Sequence, residues 1–262
     1  MEKTSAKQTI VSEFYDEIQF PGHYTQDEIN SKSEQFYLRD IITIHHLPFK
    51  GKILEAGSGS GMTTHLMANT RRDVSILGLD FSRKSIEYAT NFSKENNYHN
   101  TAFRYTDLNN IDLADRDFDM LLCSGVLHHI KNPRSIFTNL CKLVKKNGLI
   151  VIEMYHPWGR FPLHVRQQIF KLTKSHFRWI DPRIRTENWS EQRKDTWFRD
   201  QYEHPYERDY SHTEMIKWFD EEGISVSGQI PEFRGNNFSY NLHMLATTGS
   251  QGGLFVVYGH KK

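Results

Sequence analysis

Residues 53–64 read ILEAGSGSGMTT: an apolar run with a glutamate in it, three glycines at alternate positions, and a helix-compatible stretch. A glycine-rich turn from strand to helix lets backbone N–H groups approach a ligand closely. Two details narrow the ligand. In a dinucleotide-binding turn the third glycine lies three residues after the second, where it lets helix and strand pack. Here Gly57, Gly59 and Gly61 follow a shorter spacing, and Met62 occupies that place. Glu55 stands two residues ahead of Gly57, at the carboxyl edge of the predicted strand, where its charge repels a pyrophosphate and suits a cation-bearing ligand.

Outward from this stretch, short apolar runs alternate with amphipathic segments from Gly51 to Glu153, the pattern of βαβ units and a parallel sheet. The predicted strands are Lys52–Glu55, Val74–Asp80, Ala102–Thr106, Phe118–Cys123 and Leu149–Met154; helical periodicity falls at Thr63–Ala68, Lys84–Glu95 and Pro133–Val144. Lys145-Lys146-Asn147-Gly148 reads as a helix end followed by glycine. Residues 155 to about 210 hold four of the five tryptophans and an excess of basic residues, and read as a helical insertion. A helix over Ser211–Glu222 opens with the capping box Ser-His-Thr-Glu and ends at Gly223. Ile224–Ile230 and Leu254–His260 read as two closing strands, and residues 8 to 47 as two or three helices interrupted at Pro21-Gly22.

Four segments in this order resemble the class I S-adenosylmethionine-dependent methyltransferases, in their small-molecule branch. LEAGSGSG (54–61) looks like the first family motif, and GLDFSRKSIEYA (78–89) like the second. RYTDLNNI (104–111) resembles the adenine-binding segment, and DFDMLLCSGVLHHIKNP (117–133) the fourth strand with its following loop. The resemblance implies an α/β, Rossmann-like seven-stranded sheet: five parallel strands plus a C-terminal antiparallel hairpin. It further implies that S-adenosyl-L-methionine is the cofactor. Glu55, Gly57, Ser58, Gly59 and Gly61 would then form the loop around it, Asp80 would accept from both ribose hydroxyls, and Asp107 and Leu108 would meet the adenine. Phe81, Cys123 and Ser124, beside these motifs at strand ends, are assigned to the same site. Asp80 and Asp107 also qualify as plain helix caps, and Cys123 as a packing residue.

Methyl transfer is an in-line displacement, so the protein must align an acceptor lone pair and exclude water; a base is needed only where the acceptor loses a proton. His128 follows the fourth strand and is a candidate base, with His129 beside it. EMYHPWGRFP (153–162) leaves the fifth strand onto the same rim, and RDQYEHPYERDYSH (199–212) concentrates acids, tyrosines and histidines. From them come two further candidate bases, His156 and His204, and the substrate-side residues Tyr155, Arg160, Asp200 and Gln201. Tyr15 and Tyr24, in FYDEIQFPGHY (14–24), are read as closing the other side. The competing reading of these residues is a polar network that anchors the insertion. A guanidinium near the pocket suits an anionic acceptor.

The 262 residues suffice for one domain, divided into an N-terminal helical lid (1–50), a cofactor-binding core (51–155), a substrate-side insertion (156–210) and a closing helix with hairpin (211–262). A formal charge of +1 gives no global signature of a nucleic-acid or membrane-surface protein. The expectations are accordingly a small-molecule substrate, no DNA and no membrane partner, with aromatics at 158, 179, 189 and 197 as candidates for a homodimer contact. Two cysteines without paired spacing fit a reducing cytoplasm, and no metal is expected. Three other functions compete: an RNA methyltransferase whose basic insertion tracks phosphates, a non-catalytic S-adenosylmethionine-binding interaction protein, and a nicotinamide-dependent oxidoreductase, which the glycine spacing and Glu55 disfavour.

Overall fold

A computed structural model describes residue 11 and residues 13–33, 47–233, 235–248 and 252–262. Seven strands form one sheet in the order β3-β2-β1-β4-β5-β7-β6. They are β1 Lys52–Ala56, β2 Ser75–Asp80, β3 Thr101–Tyr105, β4 Phe118–Ser124, β5 Val144–Tyr155, β6 Ile224–Ile230 and β7 Leu254–Lys261. The first five run parallel, and β7 lies antiparallel between β5 and β6. The chain order reverses at β1 and β4, so their carboxyl ends open the crevice where such sheets bind ligands.

The helices are α1 Gln26–Ser33, α2 Met62–Thr70, α3 Arg83–Glu95, α4 Pro133–Cys141, α5 Pro157–Leu172, α6 Pro182–Thr186, α7 Glu191–Tyr202, α8 His212–Glu221 and α9 Asn237–Thr248. Successive strand residues face opposite sides, and both sides are covered. Leu54, Leu121 and Ile150 pack with Phe137 of α4 and Phe219 of α8, while Ile53, Leu122 and Val151 pack with Met67 of α2 and Phe92 of α3. The insertion has a small core of its own, in which Leu163 and Phe170 of α5 meet Phe198 and Tyr202 of α7. The capping box forms as read: Ser211 accepts from Glu214 N–H, and the Glu214 side chain accepts from Ser211 N–H.

One reading needs correction, and one helix lies where none was expected. Lys145 to Gly148 do not end a helix. Helix α4 stops at Cys141, and the tetrapeptide is an irregular bulge within β5: Phe118 pairs with Val144 but Met120 with Leu149. The exposed Lys145, Lys146 and Asn147 bulge outward there, with Asn147 left-handed at φ 63°. The two closing strands are where they were read, but the long connection between them carries α9, for which no expectation was made. In the N-terminal part, residues 13–18 are helical and α1 follows the break at Pro21-Gly22; residues 34–46 lie outside the described residues.

Candidate functional site

The glycine loop is built against the end of β2. Gly57 and Ser58 both donate to Leu79 O, at 2.7 and 2.9 Å, which presses the loop onto the neighbouring strand. A side chain at Gly57 would collide with Val126, whose Cγ2 lies 2.1 Å from an ideal Cβ, and its φ of +79° favours glycine as well. Asp80 then ties loop and helix together, accepting from Gly59 N–H and Ser82 N–H at 2.8 Å each. Burial pushes Asp80 up to about 6, against the pull of those N–H groups. Glu55 lies at the end of β1 as expected but is buried and accepts from Thr64 of α2. Burial raises it to about 8.

A segment from the start of the chain covers this loop. Ser60 donates its N–H to Phe20 O at 3.1 Å and its hydroxyl to Gly22 O at 3.1 Å, and Ser60 O accepts from the Tyr24 hydroxyl at 2.7 Å. Asp16 accepts from Ser82 Oγ at 2.6 Å. The segment is tied to the insertion as well. Tyr15 donates to Asp200 Oδ1, Thr196 donates to Ile18 O, and Arg199 pairs with Glu17 at 2.7 Å.

Above β4 and β5 the candidate rings form a continuous row, stacked at Tyr155–His128 and His129–His204 and edge-on between His128 and His129. Tyr155 lies 3.8 Å from His128, His128 4.2 Å from His129, and His129 3.7 Å from His204; Tyr15 closes the row 5.5 Å from His204. His128 is fully buried, and neither of its ring nitrogens has a hydrogen-bond partner among the described residues. His129 meets Tyr206 O at 3.1 Å, and His204 Nδ1 accepts from Tyr206 N–H at 3.1 Å while its Nε2 is buried and has no partner among the described residues. Burial holds all three imidazoles low, His128 at about 3 and His204 at about 4. Asp200, also buried, is pushed the other way, to about 7. Near neutral pH the three imidazoles are therefore uncharged.

Arg160 is fully buried behind this row, and every N–H of its guanidinium is used inside the protein. Two nitrogens grip Glu207 at 2.6 to 3.0 Å, and Nη1 donates to Gln201 Oε1 at 2.6 Å and Gly252 O at 3.2 Å. Its Cζ lies 3.7 Å from the centre of the Tyr155 ring. Gln201 in turn donates to Tyr155 Oη and Asp200 Oδ2. Around Arg160 the anchoring network is therefore what forms.

Tyr15, His128, His129, Tyr155, Asp200, Gln201 and His204 thus come together, while Tyr24 and His156 do not join them. Tyr24 is buried among His65, Tyr88 and Phe92. His156 follows Tyr155 and so turns away from it, packing against Tyr240 and Phe255; its Nδ1 caps α5 by accepting from Trp158 N–H at 3.3 Å. On the cofactor side, Phe81 lies 6.2 Å from the Tyr15 ring, and Asp107 caps the short turn Leu108–Asn110. Ser124 donates to Glu153. Cys123 belongs to the apolar core, with burial raising its thiol out of reach of ionisation.

Sequence reasoning missed Ser60, Asp16, Val126 and Glu207. Glu207 lay inside a stretch singled out for its composition, but a partner 47 positions from Arg160 leaves no local signal.

The family described as "Methyltransferase domain" matches residues 50–207, most of the sheet together with the insertion. The chain belongs to this methyltransferase family. Its relatives include an uncharacterized Synechococcus protein, 25% identical over 199 residues, or 68% of this chain and 48% of the relative. Another is the ubiquinone biosynthesis O-methyltransferase of Rickettsia akari, 29% identical over 120 residues, or 45% of this chain and 46% of the relative. The chain thus spans about half the length of these curated relatives. Among solved structures it is similar in fold to PKMT2 from Rickettsia typhi in complex with AdoHcy, at TM-score 0.63 and 16% identity over 86% of this chain and 53% of that one. It is also similar to magnesium protoporphyrin IX methyltransferase from Synechocystis with bound SAH, at TM-score 0.59 and 15% identity over 97% of this chain and 100% of that one. No helix among the described residues is long and apolar enough to cross a membrane.

Proposed function

We propose that the chain transfers a methyl group from S-adenosylmethionine to a small polar acceptor, with oxygen as the accepting atom. The observation that carries this reading is the junction of the glycine loop with Asp80, a buried carboxyl raised to about 6 at the end of β2. The residues around it suit the cofactor. Among the described residues Ser58 Oγ and Thr106 Oγ1 are buried without a hydrogen-bond partner, and the sulfonium and ammonium groups would compensate the buried acids Glu55 and Asp80. Asp80 would hold the ribose hydroxyls, Asp107 and Leu108 the adenine, and the loop from Gly57 to Gly61 the methionine part. When bound, the cofactor supplies a methyl carbon made electrophilic by its sulfonium.

The chain's own tasks are to align the acceptor and exclude water. Tyr15, His129 and Tyr155 supply walls, and the segment over Ser60 keeps solvent out. His204 Nε2, without a partner among the described residues, is our candidate to take the acceptor's proton. We base no recognition of an anionic acceptor on Arg160, whose donors are all engaged. The name of the O-methyltransferase relative supports an oxygen acceptor. The RNA reading loses support because Arg178, Arg193 and Arg199 of the basic insertion pair with Asp195, Glu28 and Glu17.

Calorimetric titration with S-adenosylmethionine, S-adenosylhomocysteine and NADH in one buffer tests the reading. Binding of the first two is expected. Binding of NADH alone would overturn it.

A further inference from the structure

We infer that His164, Glu207 and Asp209 bind a divalent transition-metal ion in a cleft between α5 and the segment that leads into α8. The site goes beyond the proposed methyl transfer and departs from the expectation of no metal. His164 lies one helical turn after Arg160 on α5, and Glu207 and Asp209 alternate along the segment that leads into α8, so one helix face meets one edge of an extended segment. A ligand atom of each residue lies within 4.8 Å of the other two.

His164 Nε2 is 3.6 Å from Asp209 Oδ2 and 3.8 Å from Glu207 Oε1. These gaps are too long for hydrogen bonds, yet near the ~3.4 Å that separates two ligands of a tetrahedral ion with bonds of ~2.1 Å. One imidazole nitrogen with two carboxylates suits Zn2+ or Mn2+, where an all-oxygen set would suit Mg2+.

The charges favour a cation. Arg160 covers Glu207, but among the described residues Asp209 has no lysine or arginine ion pair and its buried Oδ1 has no hydrogen-bond partner. The Asp209 side chain is only 15% exposed, so water compensates it poorly. The three residues share a cleft of about 200 Å³ with Gln167, Gln201 and His204, which leaves room for coordinated waters.

The test is calorimetric titration of the tag-free, chelator-stripped full chain with Zn2+, Mn2+ and Mg2+ separately, with no S-adenosylmethionine present, so that its failure is distinct from failure of the methyl-transfer reading. One Zn2+ or Mn2+ ion per chain is expected. Asp209→Asn and His164→Ala should each weaken binding by at least ~10-fold. The His164 side chain is 43% exposed, so His164→Ala should leave a folded chain without metal, as read by circular dichroism. No binding of Zn2+ or Mn2+, binding of Mg2+ alone, or wild-type affinity in both variants would overturn the assignment.

Discussion

The Tyr15 hydroxyl donates to Asp200 Oδ1 at 3.1 Å, joining residues 185 positions apart. One end of this contact lies on the segment over the glycine loop, the other on α7, so it couples the two compartments of the candidate site. Tyr15→Phe removes a hydrogen bond to a buried acid and should cost about 1–2 kcal/mol in urea unfolding. It should also speed proteolytic cleavage near residue 15. Unchanged stability and cleavage would show that the segment is held by its other contacts alone.

Asp80 serves the fold and the proposed cofactor together. Asp80→Ala should weaken S-adenosylmethionine binding by ~100-fold or more, about 2.7 kcal/mol, as read by calorimetry. The loss of its bonds to Gly59 and Ser82 should lower stability as well, and circular dichroism must show a folded chain for the affinity to count. Retained affinity would remove Asp80 from the ribose role.

Gly57 faces Val126 with no room between them. Gly57→Ala should destabilise the protein by about 3 kcal/mol, combining left-handed strain with overpacking. Pairing it with Val126→Ala should restore the overpacking part and leave about 1 kcal/mol of strain. If the second substitution restores nothing, the collision is not what excludes a side chain at this position.

Glu207 is raised by burial, but His164 and Arg160 outweigh that and hold it at about 2. Arg160→Met would leave this carboxylate paired only with His164 and should cost about 3–5 kcal/mol at pH 7. Arg160→Met combined with Glu207→Gln should recover much of the loss in thermal unfolding. Equal stability of the single and double variants would refute the buried pair.

Burial depresses His128 to about 3. The folded protein therefore keeps it neutral where the unfolded chain, with a pKa of about 6.5, takes up a proton. The stabilisation is full above pH 6.5 and is lost as pH falls from there toward 3. In His128→Phe the stability difference from wild type should shift in the variant's favour by up to about 1.4 kcal/mol per pH unit across that window. A difference independent of pH would mean that His128 is not held neutral.

Most of the sheet was legible in the sequence because strand and helix periods are local signals, and glycines and capping residues punctuate them. Asp80 could be located because it follows an apolar strand at a recognisable distance from the loop. The bulge at Lys145 to Gly148 was not legible, because a basic pair followed by Asn-Gly satisfies a helix end and an outward loop equally well. Nor was the split between Tyr155 and His156: both were read into one pocket, but consecutive residues at a strand end point to opposite sides. Arg160 illustrates the hardest case. A buried arginine and a ligand-binding one share the same letter, and only the arrival of Glu207 and Gln201 from a distant segment decides between them.

Ser60 offers N–H, hydroxyl and carbonyl to Phe20, Gly22 and Tyr24 at once. A loop whose Ser60 is held through all its polar groups by a segment 36 to 40 residues earlier cannot shift at Ser60 without releasing that segment. Under the proposed function, release of the cofactor would then require the segment around Phe20 to move, although that segment lies outside the sheet.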